Sequence, residues 1–139
     1  MKRVLHNLDQ RQRRRLLHRV ARILAGEGCV GFCYAYGTFV GDLPFHDLDL
    51  GIYLSGDSPA SPDGYGLELA ARLGRELSLA VDVRVLNQAP VTFLYHVLRG
   101  VLVYQGDAKL RARVVERTIR SYLDVKTLIR RGIREAFAS

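Results

Sequence analysis

A layered α/β (α+β) fold is what the sequence predicts: a small mixed β-sheet covered by helices, with a long helix at the C-terminal end. Two observations carry it. Segments with a helical period of apolar residues alternate with short β-branched and aromatic runs, in the order α-β-β-α-β-α-(β)-α. The length, 139 residues with 48% hydrophobic and 25% charged content, suits one globular domain spanning 1–139 around a single core.

Each element has its own signal. Residues 9 to 25 read as a helix: Asp9 is a candidate cap, with Gln12 three residues on as a capping-box partner. Leu16, Leu17, Val20, Ile23 and Leu24 recur at helical spacing and form its buried face. Arg11, Arg15, Arg19 and Arg22 form a second stripe, and Gly26 and Gly28 end the helix. Residues 29 to 36, CVGFCYAY, predict a first strand, which Gly37-Thr38 breaks. Asp47 to Leu54 predicts a second strand, and 55 to 64, SGDSPASPDG, a loop. Residues 65 to 78 predict a helix with Leu69, Ala70, Leu73 and Leu77 inward. Val81 to Asn87 predicts a third strand. Pro90 opens a short helix reaching Leu98. Val101 to Tyr104 is a short fourth strand, and a helical pattern runs from the cap Asp107 to about Phe137, with Gly132 as its weak point.

Charge is unevenly placed. Residues 1–27 carry 8 basic and 2 acidic side chains, 28–107 carry 4 and 9, and 108–139 carry 9 and 3. An acidic centre is thus flanked by two basic ends. Nucleic acid, an acidic protein surface or an anionic ligand would suit such ends, and a solvated helix face is favoured over nucleic acid. No apolar run approaches the ~20 residues that span a bilayer, and no apolar core follows the basic N-terminus as in a secretory signal. The expectation is a cytoplasmic protein. Cys29 and Cys33 lie four apart, which is no redox or zinc spacing; they read as small buried hydrophobes in a reducing compartment.

The stretch YGTFVGDLPFHDLDLGIYL, residues 36 to 54, carries the chemistry. Asp47 and Asp49 are two apart on a strand and point to one face. In the third strand Val81, Val83 and Val85 line one face, and Asp82, Arg84 and Leu86 the other. If the two strands are neighbours, three carboxylates share the wetter face. Such a group is a hard oxygen site of the kind Mg²⁺ takes together with phosphates. One carboxylate can also serve as general base toward a hydroxyl. The glycine turn before them lets backbone N–H groups approach phosphates, with the Thr38 hydroxyl as a further donor and Gly41 adding freedom nearby. The bland alternative has Asp47 capping a strand edge and Asp82 pairing with Arg84.

Gly37-Thr38, Asp47-Leu48-Asp49-Leu50 and Asp82 together resemble the signature of the polymerase-beta-type nucleotidyltransferases: a Gly-Ser turn, an Asp-x-Asp pair and a third Asp on a later strand. Within that superfamily the short chain is similar to the minimal nucleotidyltransferases, or MNT proteins. Residues 89–107 resemble the end of their core. The resemblance covers roughly 20 to 107, is strongest at 36–54, and leaves about 108–137 as the C-terminal helix. It implies a mixed sheet with helices on one face and nucleotide on the other. It also implies Mg²⁺, as two ions, with ATP as substrate. Asp47 and Asp49 would bind both metals, and Asp82 would bind the catalytic metal and activate the acceptor. Gly37 and Thr38 would hold the triphosphate. Many MNT proteins are antitoxins of helical HEPN toxins, and some adenylylate a toxin tyrosine. The sequence departs from the family at three places. Thr38 replaces the turn serine, no arginine follows it in Phe39-Val40-Gly41, and His46 precedes the Asp-x-Asp pair, where covering the strand edge is favoured over touching a phosphate.

The function expected is therefore Mg²⁺-dependent transfer of AMP from ATP to a hydroxyl on a HEPN-type partner. One alternative is a module that neutralises its partner by binding alone. Another is an aminoglycoside-like small-molecule nucleotidyltransferase, which the short chain disfavours. The terminal helix has more apolar residues than one face needs, among them Ile119, Leu123, Leu128, Ile129 and Ile133. They suit either a homodimer or a hetero-complex interface, or a helix wrapping its own core.

Overall fold

The computed structural model describes residues 4–56 and 58–138. Helix α1 is Gln10–Ala25, strand β1 Val30–Tyr36, strand β2 Asp47–Leu54, helix α2 Pro62–Leu77 and strand β3 Ala80–Val85. Helix α3 is Val91–Leu98, strand β4 Val101–Gln105 and helix α4 Ala108–Ala136. A short 3-10 turn, Gly37–Val40, joins β1 to the loop before β2.

The predicted start of α1 holds: the Asp9 side chain accepts from the Gln12 N–H at 2.8 Å, and the Gln12 side chain accepts from the Asp9 N–H at 2.9 Å. Helix α2 begins three residues earlier than the sequence suggests, because Ser61 caps it and Pro62 occupies the first turn, where its missing N–H is harmless. Residues 62–64 therefore belong to the helix and not to the loop. Strand β3 stops at Val85, but the Asn87 side chain continues the ladder, donating to the Leu54 carbonyl at 2.9 Å and accepting from its N–H at 2.8 Å. Gly132 does not interrupt α4.

The strands form one mixed sheet in the order β3-β2-β1-β4. β1 pairs antiparallel with β2 and β4, whereas β2 and β3 run parallel, joined by α2 as the crossover helix. One face carries Cys33, Ala35, Leu48, Leu50, Ile52 and Val83 against Val20 and Leu24 of α1 and Leu69, Leu73 and Leu77 of α2. The other face has a core as well: Phe32, Tyr34, Tyr36 and Tyr53 pack with Leu86, with Leu94 and Val97 of α3 and with Val114 of α4. Helices on one face only, as the family resemblance implied, is thus corrected; α3 and α4 cover much of the second face.

What they leave open is decided along β2. Asp47, Leu48, Asp49 and Leu50 alternate between half-buried and buried, and from Gly51 onward every residue is buried. Val97 of α3 and Leu86 close over Gly51. The wet part of the second face is therefore the N-terminal end of β2, beside the C-terminal end of β1.

Candidate active site

The site is assembled where β1 ends. Gly37 adopts φ of +77°, in the left-handed region that side chains avoid, so the chain can leave β1 and enter the 3-10 turn at once. Tyr36 is the ladder partner of Asp49, which brings the Asp49 carboxylate against the Cα of Gly37. A Cβ on Gly37 would stand 2.6 Å from Asp49 Oδ2. Backbone strain and close approach both demand glycine here. Gly37→Ala is expected to cost about 1–2 kcal/mol of stability and to displace the Asp49 carboxylate; thermal unfolding and nucleotide binding measured on the same variant check both effects.

The structure brings the three predicted aspartates onto one face. β2 and β3 pair in register with Asp49 opposite Asp82 and Asp47 opposite Ala80. Residues side by side in a parallel pair share a face, so Asp47, Asp49 and Asp82 do as well. Their field reaches Tyr36, whose phenol is pushed up to about 12, by burial first and then by Asp49 and Asp82. The carboxylate oxygens themselves are not gathered: among the described residues no three His, Cys, Asp or Glu side chains stand as a group able to hold a metal ion. Asp82 has a protein partner: its Oδ2 accepts from Arg84 Nε at 3.1 Å. The pairing weighed from the sequence therefore exists, on the same face as the other two aspartates. This contact raises the Arg84 pKa, through the hydrogen bond and charge of Asp82 first. It is an open pair, with side chains 64% and 46% exposed, so it contributes at most about 1 kcal/mol and yields readily to a stronger cation. Three carboxylates on one wet face supply the hard oxygen donors that a divalent ion of the Mg²⁺ type takes, although their oxygens are not drawn together.

Thr38 is exposed at the mouth of the turn, and its carbonyl accepts from the Gly41 N–H at 3.2 Å. Gly41 is extended, with φ of −92°, so it supplies an anchor and not a special conformation: its carbonyl accepts from Arg13 Nη1 at 2.7 Å and Gln10 Nε2 at 3.0 Å. His46 reaches back to the Val4 carbonyl at 3.1 Å, next to the His6–Phe45 bridge. It thus fastens the segment before α1 to the strand edge, as the sequence suggested.

Arg13 is the residue that the sequence reading missed. It is only 2% exposed. Its Nε donates to the Leu8 carbonyl at 2.8 Å, Nη1 to Phe39 at 2.8 Å and to Gly41 at 2.7 Å, and Nη2 to Leu43 at 2.7 Å. The guanidinium also lies over the rings of Phe45 and Phe39, at 4.9 and 5.7 Å. The signal was present: Arg13 precedes Leu17, Val20 and Leu24 by four, seven and eleven residues, which places it on the apolar stripe of α1. Arg11, Arg15, Arg19 and Arg22 are exposed, as expected of a solvated stripe.

Two cavities flank the aspartates. One, of about 490 Å³, is lined by Tyr36, Gly37, Thr38 and Val40 from the turn and by His96, Arg99 and Gly100 from the end of α3. The other, of about 450 Å³, lies at the β3 edge between Asp82 and Arg84 and the α2 residues Asp63 and Leu67.

Residues 18–109 match the family model described as polymerase beta, nucleotidyltransferase. No curated protein sequence matches the chain significantly. Solved structures do match it in fold. A chain of the complex of tri-AMPylated HEPN toxin with MNT antitoxin from Shewanella oneidensis superposes with a TM-score of 0.66 at 16% identity, covering 91% of this chain and 99% of that one. A toxin–antitoxin structure with AMP-PNP gives 0.67 at 16% identity, covering 88% and 98%. The MntA–HepT toxin–antitoxin structure gives 0.63 at 16% identity, covering 94% and 100%. At this identity the likeness is one of fold.

Proposed function

The chain belongs to the polymerase beta nucleotidyltransferase family, and on that premise we propose that it moves AMP from ATP to a hydroxyl of a HEPN-type protein partner, as the antitoxin of that pair. One observation carries this reading: Asp49 and Asp82 are register partners on one face, with Asp47 beside them and the Gly37 turn pressed against the Asp49 carboxylate. The fold match to MNT–HEPN complexes, one tri-AMPylated, and to a complex with AMP-PNP supports the nucleotide and the partner.

In this reading Gly37 and Thr38 take the triphosphate with backbone N–H groups and the Thr38 hydroxyl, and Gly41 anchors the turn from behind. Asp47, Asp49 and Asp82 would hold two Mg²⁺ ions, which would supply charge to the α-phosphate and acidify the acceptor hydroxyl. Asp82 releases Arg84 to do so. The acceptor oxygen forms its bond to the α-phosphorus, the bond from that phosphorus to the bridging oxygen of the β-phosphate breaks, and pyrophosphate leaves. Asp82 takes the acceptor proton. The cavity at the β3 edge opens beside Asp82 and gives the acceptor its approach.

The partner's docking surface is the distal part of α4. Ile119, Leu123, Leu128, Ile129, Ile133 and Phe137 are exposed there, and Phe137 is 85% so. No helix among the described residues is long and apolar enough to cross a membrane. ATP supply and two free cysteines suit the cytoplasm.

Incubation with Mg²⁺ and α-phosphate-labelled ATP, with and without a HEPN-type partner, tests the reading. Label on the partner, lost in Asp47→Asn, is the expected result. A stable complex that never acquires label would replace transfer by neutralisation through contact alone.

A further inference from the structure

The turn that faces the triphosphate contains no cation of its own. Arg13, the arginine nearest in the fold, is committed: its Nε, Nη1 and Nη2 all donate to main-chain carbonyls. Asp47, Asp49 and Asp82 would offset three of the four positive charges of two divalent ions, so most of the triphosphate's negative charge is left for other protein groups to meet. The cavity beside Gly37 and Thr38 supplies such groups from its opposite wall, where His96 and Arg99 stand at the end of α3.

That wall is held in place. Gly100 follows Arg99 so close to β1 that a Cβ on it would stand 2.1 Å from the Ala35 carbonyl oxygen, which fixes the end of α3 against the strand that leads into the turn. Tyr36, the last residue of β1, makes edge contacts with Phe93 at 5.7 Å and with His96 at 5.8 Å. The Arg99 guanidinium leans over Tyr95 at 5.8 Å, and Tyr95 stacks on Tyr122 of α4 at 3.7 Å. Arg99 makes no ion pair with a carboxylate among the described residues. A cation at a helix C-terminus also answers the helix dipole, but that role asks for no cavity and no aromatic rest.

We infer that Arg99, with His96 beside it, binds the β- and γ-phosphates of the nucleotide across the cavity from Gly37-Thr38. This rests on the nucleotidyl-transfer reading and names the groups that hold its leaving pyrophosphate. Arg99 takes over the contact that an arginine within the turn would make. As the bond to the α-phosphorus breaks, negative charge grows on the β-phosphate, and Arg99 stabilises it there. Specificity follows: a nucleoside monophosphate does not reach this wall, and a triphosphate does.

Calorimetric titration of wild type, Arg99→Ala, Arg99→Lys and His96→Ala with ATP and with AMP, each with Mg²⁺, tests the inference. Circular dichroism verifies that each variant is folded. Arg99→Ala is expected to weaken ATP roughly 10-fold or more while AMP affinity holds, and Arg99→Lys to recover part of the loss because it keeps charge without the planar fork. His96→Ala is expected to weaken ATP by a smaller factor, again without touching AMP. ATP affinity unchanged in Arg99→Ala, or ATP and AMP weakened equally, overturns the inference and leaves the transfer reading standing. Wild-type protein that binds neither nucleotide overturns both.

Discussion

Asp49→Asn is expected to abolish nucleotidyl transfer and to remove most of the stabilisation that Mg²⁺ gives the fold. The carboxylate faces that of Asp82 across the β2–β3 ladder, on the same face as Asp47. Like charges opposite each other on neighbouring strands destabilise a sheet by up to about 1 kcal/mol. A divalent cation held between them would relieve that repulsion, which links Mg²⁺ binding to the stability of the fold. Asparagine preserves shape and removes the charge. Its amide is a far poorer ligand for a hard cation, and transfer should fall about 1,000-fold or more. Mg²⁺ titration reads the second effect. Thermal unfolding of wild type should shift upward as Mg²⁺ is added, by mass action on the folded state, and that of Asp49→Asn should shift much less. Equal Mg²⁺-induced shifts in both proteins would remove Asp49 from the metal site, and an unchanged transfer rate would remove it from the chemistry.

The same comparison shows which features the sequence exposes and which it hides. The strict alternation in Asp47-Leu48-Asp49-Leu50 and in Val81 to Leu86 was enough to place the three aspartates on one face, because a strand's period of two is local. That Asp49 meets Asp82 and not Arg84 is a matter of register between strands connected by a whole helix, and no local pattern fixes it. Nor does alternation show that Arg84 would occupy the Asp82 carboxylate, since both side chains merely share a face. The second helical layer was hidden for a related reason. Phe32, Tyr34 and Tyr53 looked like ordinary strand aromatics, and only the long-range return of α3 and α4 shows that they form a second core. The sequence assigns residues 55–64 to a loop, and so starts α2 at 65, because that stretch is rich in Ser, Pro, Gly and Asp. The structure overrides that signal with the Ser61 cap and with Gly66 packed against Val83 and Val85.

Arg13→Ala is expected to have the largest effect on stability of any single change near the site. A buried guanidinium with no carboxylate partner among the described residues is tolerable only because its donors are used, and here five carbonyls and two aromatic rings receive it. Truncation would strand several of those carbonyls and open a cavity between α1 and the turn, at about 3 kcal/mol or more. The consequence for function follows from the peptide plane. Arg13 draws the carbonyls of Phe39 and Gly41 toward α1, and in a trans peptide the N–H points the opposite way, so the Val40 and Asp42 N–H groups on these two peptides turn away from α1. Arg13→Lys keeps the charge but reaches fewer of these acceptors, since an ammonium lacks the planar fork. It should remain folded with a lower melting temperature and bind ATP several-fold more weakly. Nucleotide titration well below each variant's melting temperature separates the two roles. A merely structural arginine would lower the melting temperature and leave ATP affinity intact, whereas one that aims the turn lowers both, with ATP affinity reduced even where the protein is fully folded.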